Sequence, residues 1–212
     1  LGQRTAAQRQ RLEAWLGGEA GALALAQVLT GEAEPSGRLT ETLGLRLEDY
    51  PSALMFPGES GQVMYGEGVF VGYRGFDALE REVAFPFGFG LGYTTFRYDS
   101  LTLTDTGSVV TRDLRVAVSV TLTNTGERAG AEVVQVYVAD PEASVLRPKR
   151  ELRGFAKVFL EPGETRRVEV TLDQRAFSFW SALTRTWVVE GGDFVIEVGP
   201  HSRDLQLTET IA

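Results

Sequence analysis

Residues 65–96 read YGEGVFVGYRGFDALEREVAFPFGFGLGYTTF, with glycine and aromatic side chains packed more densely than an ordinary helix or strand accepts. Gly66, Gly68, Gly72, Gly88, Gly90 and Gly92 open backbone conformations closed to other residues. Tyr65, Phe70, Tyr73, Phe85, Phe87, Phe89, Tyr93 and Phe96 supply large apolar surfaces. A run of this kind folds only against neighbours, so it predicts a junction inside a larger body.

The pattern changes after Tyr98. Leu114, Val116, Val118, Val120 and Leu122 alternate with Arg115, Ala117, Ser119, Thr121 and Thr123, the period of a half-buried strand. Asn124-Thr125-Gly126 then supplies turn chemistry. The same logic predicts strands near 101–105, 132–139, 152–160, 167–172, 187–190, 194–198 and 205–208. Turns separate them at Glu161-Pro162-Gly163, Gly191-Gly192-Asp193 and His201-Ser202-Arg203. Seven or eight short strands over about 110 residues point to a two-sheet sandwich of immunoglobulin-like type.

Before the junction, Leu12, Trp15 and Leu16 fall at helical spacing within residues 6–16, and Gly17-Gly18 stop that helix. A second helix fits residues 20–29, closed by Gly31 and the turn-forming Glu34-Pro35-Ser36-Gly37. It is apolar on most faces, as expected of a helix inside a larger α/β layer. Residues 40–97 lack periodicity and carry Pro51, Pro57 and Pro86, so an extended, looped connection with short strands is expected there. The fold class is therefore mainly β: a sandwich at 98–212, a junction at 51–97, and at 1–50 a helical and looped segment.

The junction resembles the connection in family 3 glycoside hydrolases, the β-glucosidase and β-xylosidase group. There Y-x-E-G-x-x-V-G-Y-R is followed by F-P-F-G-x-G-L-x-Y-T-T-F, and both halves occur here in order. Residues 15–39 (WLGGEAGALALAQVLTGEAEPSGRL) resemble the end of that family's α/β sandwich domain, which makes 1–50 a remnant of it. Residues 132–138, 147–155 (RPKRELRGF), 161–164 (EPGE) and 193–199 (DFVIEVG) resemble its C-terminal fibronectin type III-like domain. The resemblance covers about residues 12–210. Phe89 stands where a histidine is common and Gly92 where a serine is common, and 1–11 does not resemble the strand and helix expected there.

Family 3 enzymes are retaining glycosidases, so the resemblance implies a nucleophilic Asp and a Glu acid/base. The nucleophile lies in an S-D-W-type motif on a (β/α)8 barrel of about 250 residues, and this chain has neither the motif nor the length. The acid/base lies upstream of W-L-G-G-x-x-G, which begins here at Trp15. No catalytic residue is therefore expected, and the implied function is the accessory C-terminal part of such an enzyme, inactive by itself. Its implied partners are the catalytic domains or a second copy of the chain. The missing initiator methionine is compatible with a removed signal or a trimmed longer chain.

Other carboxylates are read as structural. Glu67, Asp77, Glu80 and Glu82 lie in or near the junction, but acid/base work needs a partner and a pocket that separates two pKa values. Glu19 matches a family position and is given a structural role too. Gly88-Phe89-Gly90-Leu91-Gly92 lacks phosphate-loop spacing, and the lysines are Lys149 and Lys157 alone. Trp180 and Trp187, beside Phe177 and Phe179, are the candidate platform for stacking sugar rings; filling the sandwich core or sealing its loop is the favoured alternative. A free-standing carbohydrate-binding module, with oligosaccharide as partner, or an assembly subunit are the competing functions.

Composition removes several classes. Zero cysteines exclude disulfides and thiolate chemistry, and one histidine, His201, read as a solvated turn residue, leaves no metal or cofactor site to propose. A formal charge of −8 argues against nucleic acid. The 21 basic residues are two lysines and 19 arginines, a skew that with the scarcity of Asn and Ile fits a G+C-rich genome better than bidentate anion recognition. Arg147, Lys149, Arg150 and Arg153 are read as a solvated loop and strand edge. No segment reaches the roughly 20 apolar residues of a membrane span, and no signal-like N-terminus is visible, which leaves cytoplasmic and secreted settings both open.

Overall fold

The computed structural model describes residues 14–212, which divide after Pro35 into two compact units. In the first, helix α1 (Gly21–Thr30) ends at Gly31, whose φ of 78° is the left-handed cap that glycine accepts most readily. None of its residues is buried, and Leu23 and Leu29 stand exposed. Residues 6–13 of the first expected helix lie outside the described residues. Its last positions, Ala14 to Leu16, are not helical: Trp15 takes a positive φ of 46°, a conformation no helix contains.

The second unit holds a small antiparallel pair, β1 (Leu43–Gly44) with β2 (Val83–Phe85), around helix α2 (Tyr73–Ala78). The short strands were expected and α2 was not. It is six residues long, starts from Gly72 at φ 56°, and buries Tyr73, Gly75, Phe76 and Asp77, so packing holds it rather than periodicity.

The sandwich follows. One sheet orders β3 (Phe96–Thr106), β4 (Arg115–Asn124) and β7 (Thr165–Asp173). The other orders β11 (Leu207–Ile211), β10 (Phe194–Gly199), β5 (Gly130–Ala139) and β6 (Glu151–Leu160). Every pairing is antiparallel. The strands expected in 98–212 all occur, and the one near 187–190 is β9 (Thr186–Val188), paired with the unexpected β8 (Phe179–Ser181).

The alternation seen in sequence fills the core. Val116, Val118, Val120 and Leu122 of β4 are at most 1% exposed and meet Val134, Val136 and Val138 of β5, Val168 and Leu172 of β7, and Ile196 and Val198 of β10. Each such side chain contributes about 1.5–3 kcal/mol by leaving water. Phe177 and Phe194 close one end edge to face, centroids 5.2 Å apart. Asn124 is wholly buried: its amide donates to the carbonyls of Arg128 and Leu160, and its Oδ1 accepts from Thr94 Oγ1 and the Gly126 N–H.

Candidate functional site

The outer face of the four-stranded sheet is where the junction docks. Gln135 and Tyr137 are polar interruptions in the apolar strand AEVVQVYVA, and both side chains are buried. Tyr137 donates to Gln135 Oε1 at 2.7 Å, and Gln135 Nε2 donates to the carbonyls of Gly88 (3.1 Å) and Pro200. Tyr73 stacks on Phe87 at 4.8 Å, meets Tyr137 edge on, and accepts the Leu152 N–H at 2.8 Å. The Ser202 N–H donates to the Phe87 carbonyl, and the Gly88 N–H to that of Leu39. Burial raises the phenols of Tyr98 and Tyr137 above the ordinary tyrosine range.

Gly88 is the tightest point of this contact. Its φ is 81°, and a Cβ there would lie 2.1 Å from Gln135 Oε1, an atom held in place by Tyr137. Gly88→Ala should therefore destabilise the unit by about 1–3 kcal/mol, through backbone strain and overpacking together. Urea unfolding checks this; a midpoint equal to wild type would mean that Gln135 moves freely. A Cβ at Gly90 would lie 2.4 Å from the Gly37 carbonyl oxygen, so these glycines serve close packing rather than a phosphate cradle.

Two of the junction carboxylates, Asp77 and Glu80, are bonded to cations. Asp77 accepts from Arg203 Nε at 2.9 Å, and the same arginine donates to the Arg81 carbonyl. Lys149 holds Glu80 below the usual carboxylate range, opposite to the shift a general acid needs. Glu82 and Glu19 are exposed, and Glu67 is half-buried. A depression of about 550 Å3 lined by Arg46, Glu48, Asp49, Arg81 and Glu82 repeats the pattern, with Arg46 holding Asp49 low. Among the described residues, no cluster of His, Asp and Glu is arranged to hold a metal.

Two sequence readings are corrected by this geometry. Most of the basic cluster is not solvated, although Lys149, with a side chain 47% exposed, is. Arg147, with a side chain only 7% exposed, bonds Asp140 (2.9 Å), Glu151 (3.2 Å) and the Phe177 carbonyl. Glu151 also receives Arg153 at 2.6 Å and Arg74 at 3.4 Å, while Arg150 grips Glu197 through two bonds. A register irregularity in β6 leaves Arg153 without a cross-strand partner, and burial pulls its guanidinium below the ordinary value. The strand-edge half of the reading stands, since β6 ends its sheet. His201, in turn, is half-buried: it sits 5.4 Å from the Phe89 ring, accepts the Arg203 N–H at Nδ1, and is lowered in pKa by burial.

Trp180 and Trp187 do not enter the core. They form a directly opposed cross-strand pair on the β8–β9 hairpin, 51% and 44% exposed, with ring centroids 5.4 Å apart and planes tilted by 58°. The Arg175 guanidinium lies 3.1 Å from the Trp187 centroid. Phe177, by contrast, is buried, and Phe179 is partly so.

Sequence reasoning did not single out Arg38, Glu132, Gln135 or Arg203. Arg38 and Glu132 form a buried pair at 2.7 Å. Polar residues within the β5 run were the signal available for two of the four.

Comparison with known proteins adds the family. Residues 7–73 match the glycosyl hydrolase family 3 C-terminal domain, and residues 132–202 match the fibronectin type III-like domain. An exo-α-(1→6)-L-arabinopyranosidase of Bifidobacterium breve is 48% identical over 201 residues, 95% of this chain and 26% of that protein. Thermostable β-glucosidase B of Acetivibrio thermocellus is 49% identical over 200 residues, 94% of this chain and again 26% of the relative. The crystal structure of a Bifidobacterium adolescentis family 3 β-glucosidase superposes with a TM-score of 0.88 at 47% identity, covering 94% of this chain and 29% of that one. The chain thus spans about a quarter of the length of the curated relatives it matches. With both junction motifs in order and the sandwich in place, it belongs to the family 3 glycoside hydrolases and corresponds to their C-terminal region.

Proposed function

We propose that this chain is the structural C-terminal body of a β-glucosidase-like enzyme, that it buttresses the catalytic domains, and that it performs no hydrolysis alone. The observation that carries this reading is the two-sidedness of the junction. One side is bonded into the sandwich through Tyr73, Phe87, Gly88 and Gln135. The other bares large apolar side chains along residues 54–71: Leu54 (95% exposed), Tyr65 (83%), Phe56 and Met64 among them. Apolar surface on this scale marks a contact with more protein. On this reading 1–50 belongs with an α/β sandwich domain, 51–97 is the interface, and 98–212 is the supporting module.

A chimera tests the reading. These 212 residues replace the matching region of the Acetivibrio thermocellus β-glucosidase. The chimera should be soluble and hydrolyse aryl β-glucosides with the relative's own substrate preference, while the relative deleted for this region should be insoluble or inactive. A chimera that folds without activity, or a deletion as stable and active as the parent, would refute a supporting role.

A further inference from the structure

We infer that Trp180 and Trp187 make a saccharide-binding site on the β8–β9 hairpin, for a neutral pyranose chain. This goes beyond the supporting role and does not depend on it. The hairpin has two unlike faces. Register places Phe179 opposite Val188, both partly buried, and Trp180 opposite Trp187, both about half exposed. Side chains alternate along a strand, so the tryptophans stand on the face opposite Phe179 and Val188. Val189 and Phe177 serve the core, and neither tryptophan does.

The tilt of 58° at 5.4 Å gives the pair the form of a floor and a wall rather than a flat plate. Arg175 covers one face of Trp187 and brings a planar set of N–H donors to the edge of the notch. A pyranose matches this combination: its C–H face stacks on an indole, and its hydroxyls take guanidinium partners. Two rings with centroids 5.4 Å apart span the breadth of about one or two sugar rings.

The Trp pair also fastens a two-stranded hairpin, so the test must read ligand binding rather than stability. Calorimetric titration of the full chain with cellopentaose and with xylopentaose should give saturable binding to at least one. Trp180→Ala and Trp187→Ala should each weaken it about tenfold, the scale of one lost aromatic contact. Trp180→Phe, which keeps a ring in the hairpin, should retain weakened binding, and Trp15→Phe should leave it unchanged. Absence of saturable binding to both sugars, or binding undiminished in the Trp180→Ala and Trp187→Ala variants, overturns the assignment.

Discussion

Glu151→Ala should lower the stability of the 36–212 unit by about 3–5 kcal/mol, the range for breaking a buried ion network on one side. Glu151 is shared by Arg74, Arg147 and Arg153, and only Asp140 would remain to face the three guanidinium groups. The side chains of Arg147 and Glu151 are 7% and 13% exposed, so water is a poor substitute. Glu151→Gln keeps the volume and one acceptor, and its loss should be roughly half. Urea unfolding measures both through the midpoint at constant slope. A loss below about 1 kcal/mol for the alanine variant would place this cluster among solvated surface pairs.

Phe76→Ala should have an effect of similar size, about 3–5 kcal/mol, which corresponds to a fall of about 6–20 °C in Tm for a body of this length. Phe76 is fully buried in α2, edge to face with Tyr50 at 5.3 Å, and its ring tip lies under Gly44. It contacts none of the sandwich core, yet α2 is anchored to the sandwich through Tyr73 and Asp77. Junction and sandwich should therefore melt together, in one transition at the lower temperature. Proteolysis within residues 40–97 that leaves the sandwich Tm at its wild-type value would show them to be separate.

The sandwich was legible because β4, β5 and β10 obey a period of two and are punctuated by turn residues whose conformations follow from their chemistry. Glu161-Pro162-Gly163 is such a turn, with Gly163 at φ 74°. Helix α2 was not legible: six residues, three of them glycine or aromatic, carry no 3.6 period, and long-range packing forms the helix. The arginine cluster was misread for a related reason. Basic residues on an edge strand ordinarily face solvent, but Asp140 and Glu197, which take Arg147 and Arg150, come from other segments, and Arg153 is displaced at an irregularity in the ladder and bonds Glu151. The exposure of the tryptophans follows from pairing Trp180 with Trp187, and β8 was too short to announce that partner in sequence.

The family's chemistry also explains the site's character. The junction's glycines and rings serve contact, and its acidic residues Asp77 and Glu80 are bound to Arg203 and Lys149. A retaining glycosidase needs two carboxyl groups about 5–5.5 Å apart with one pKa raised, and neither Glu80 nor Asp49 is shifted that way.

Hydrolysis of an aryl β-glucoside by the purified chain measures the central claim most directly. Release of the aryl alcohol should stay at the rate of buffer alone across pH 4–8 and be unchanged by Glu67→Gln or Asp77→Asn. Turnover above that background, abolished by either substitution, would show that the chain carries its own active site.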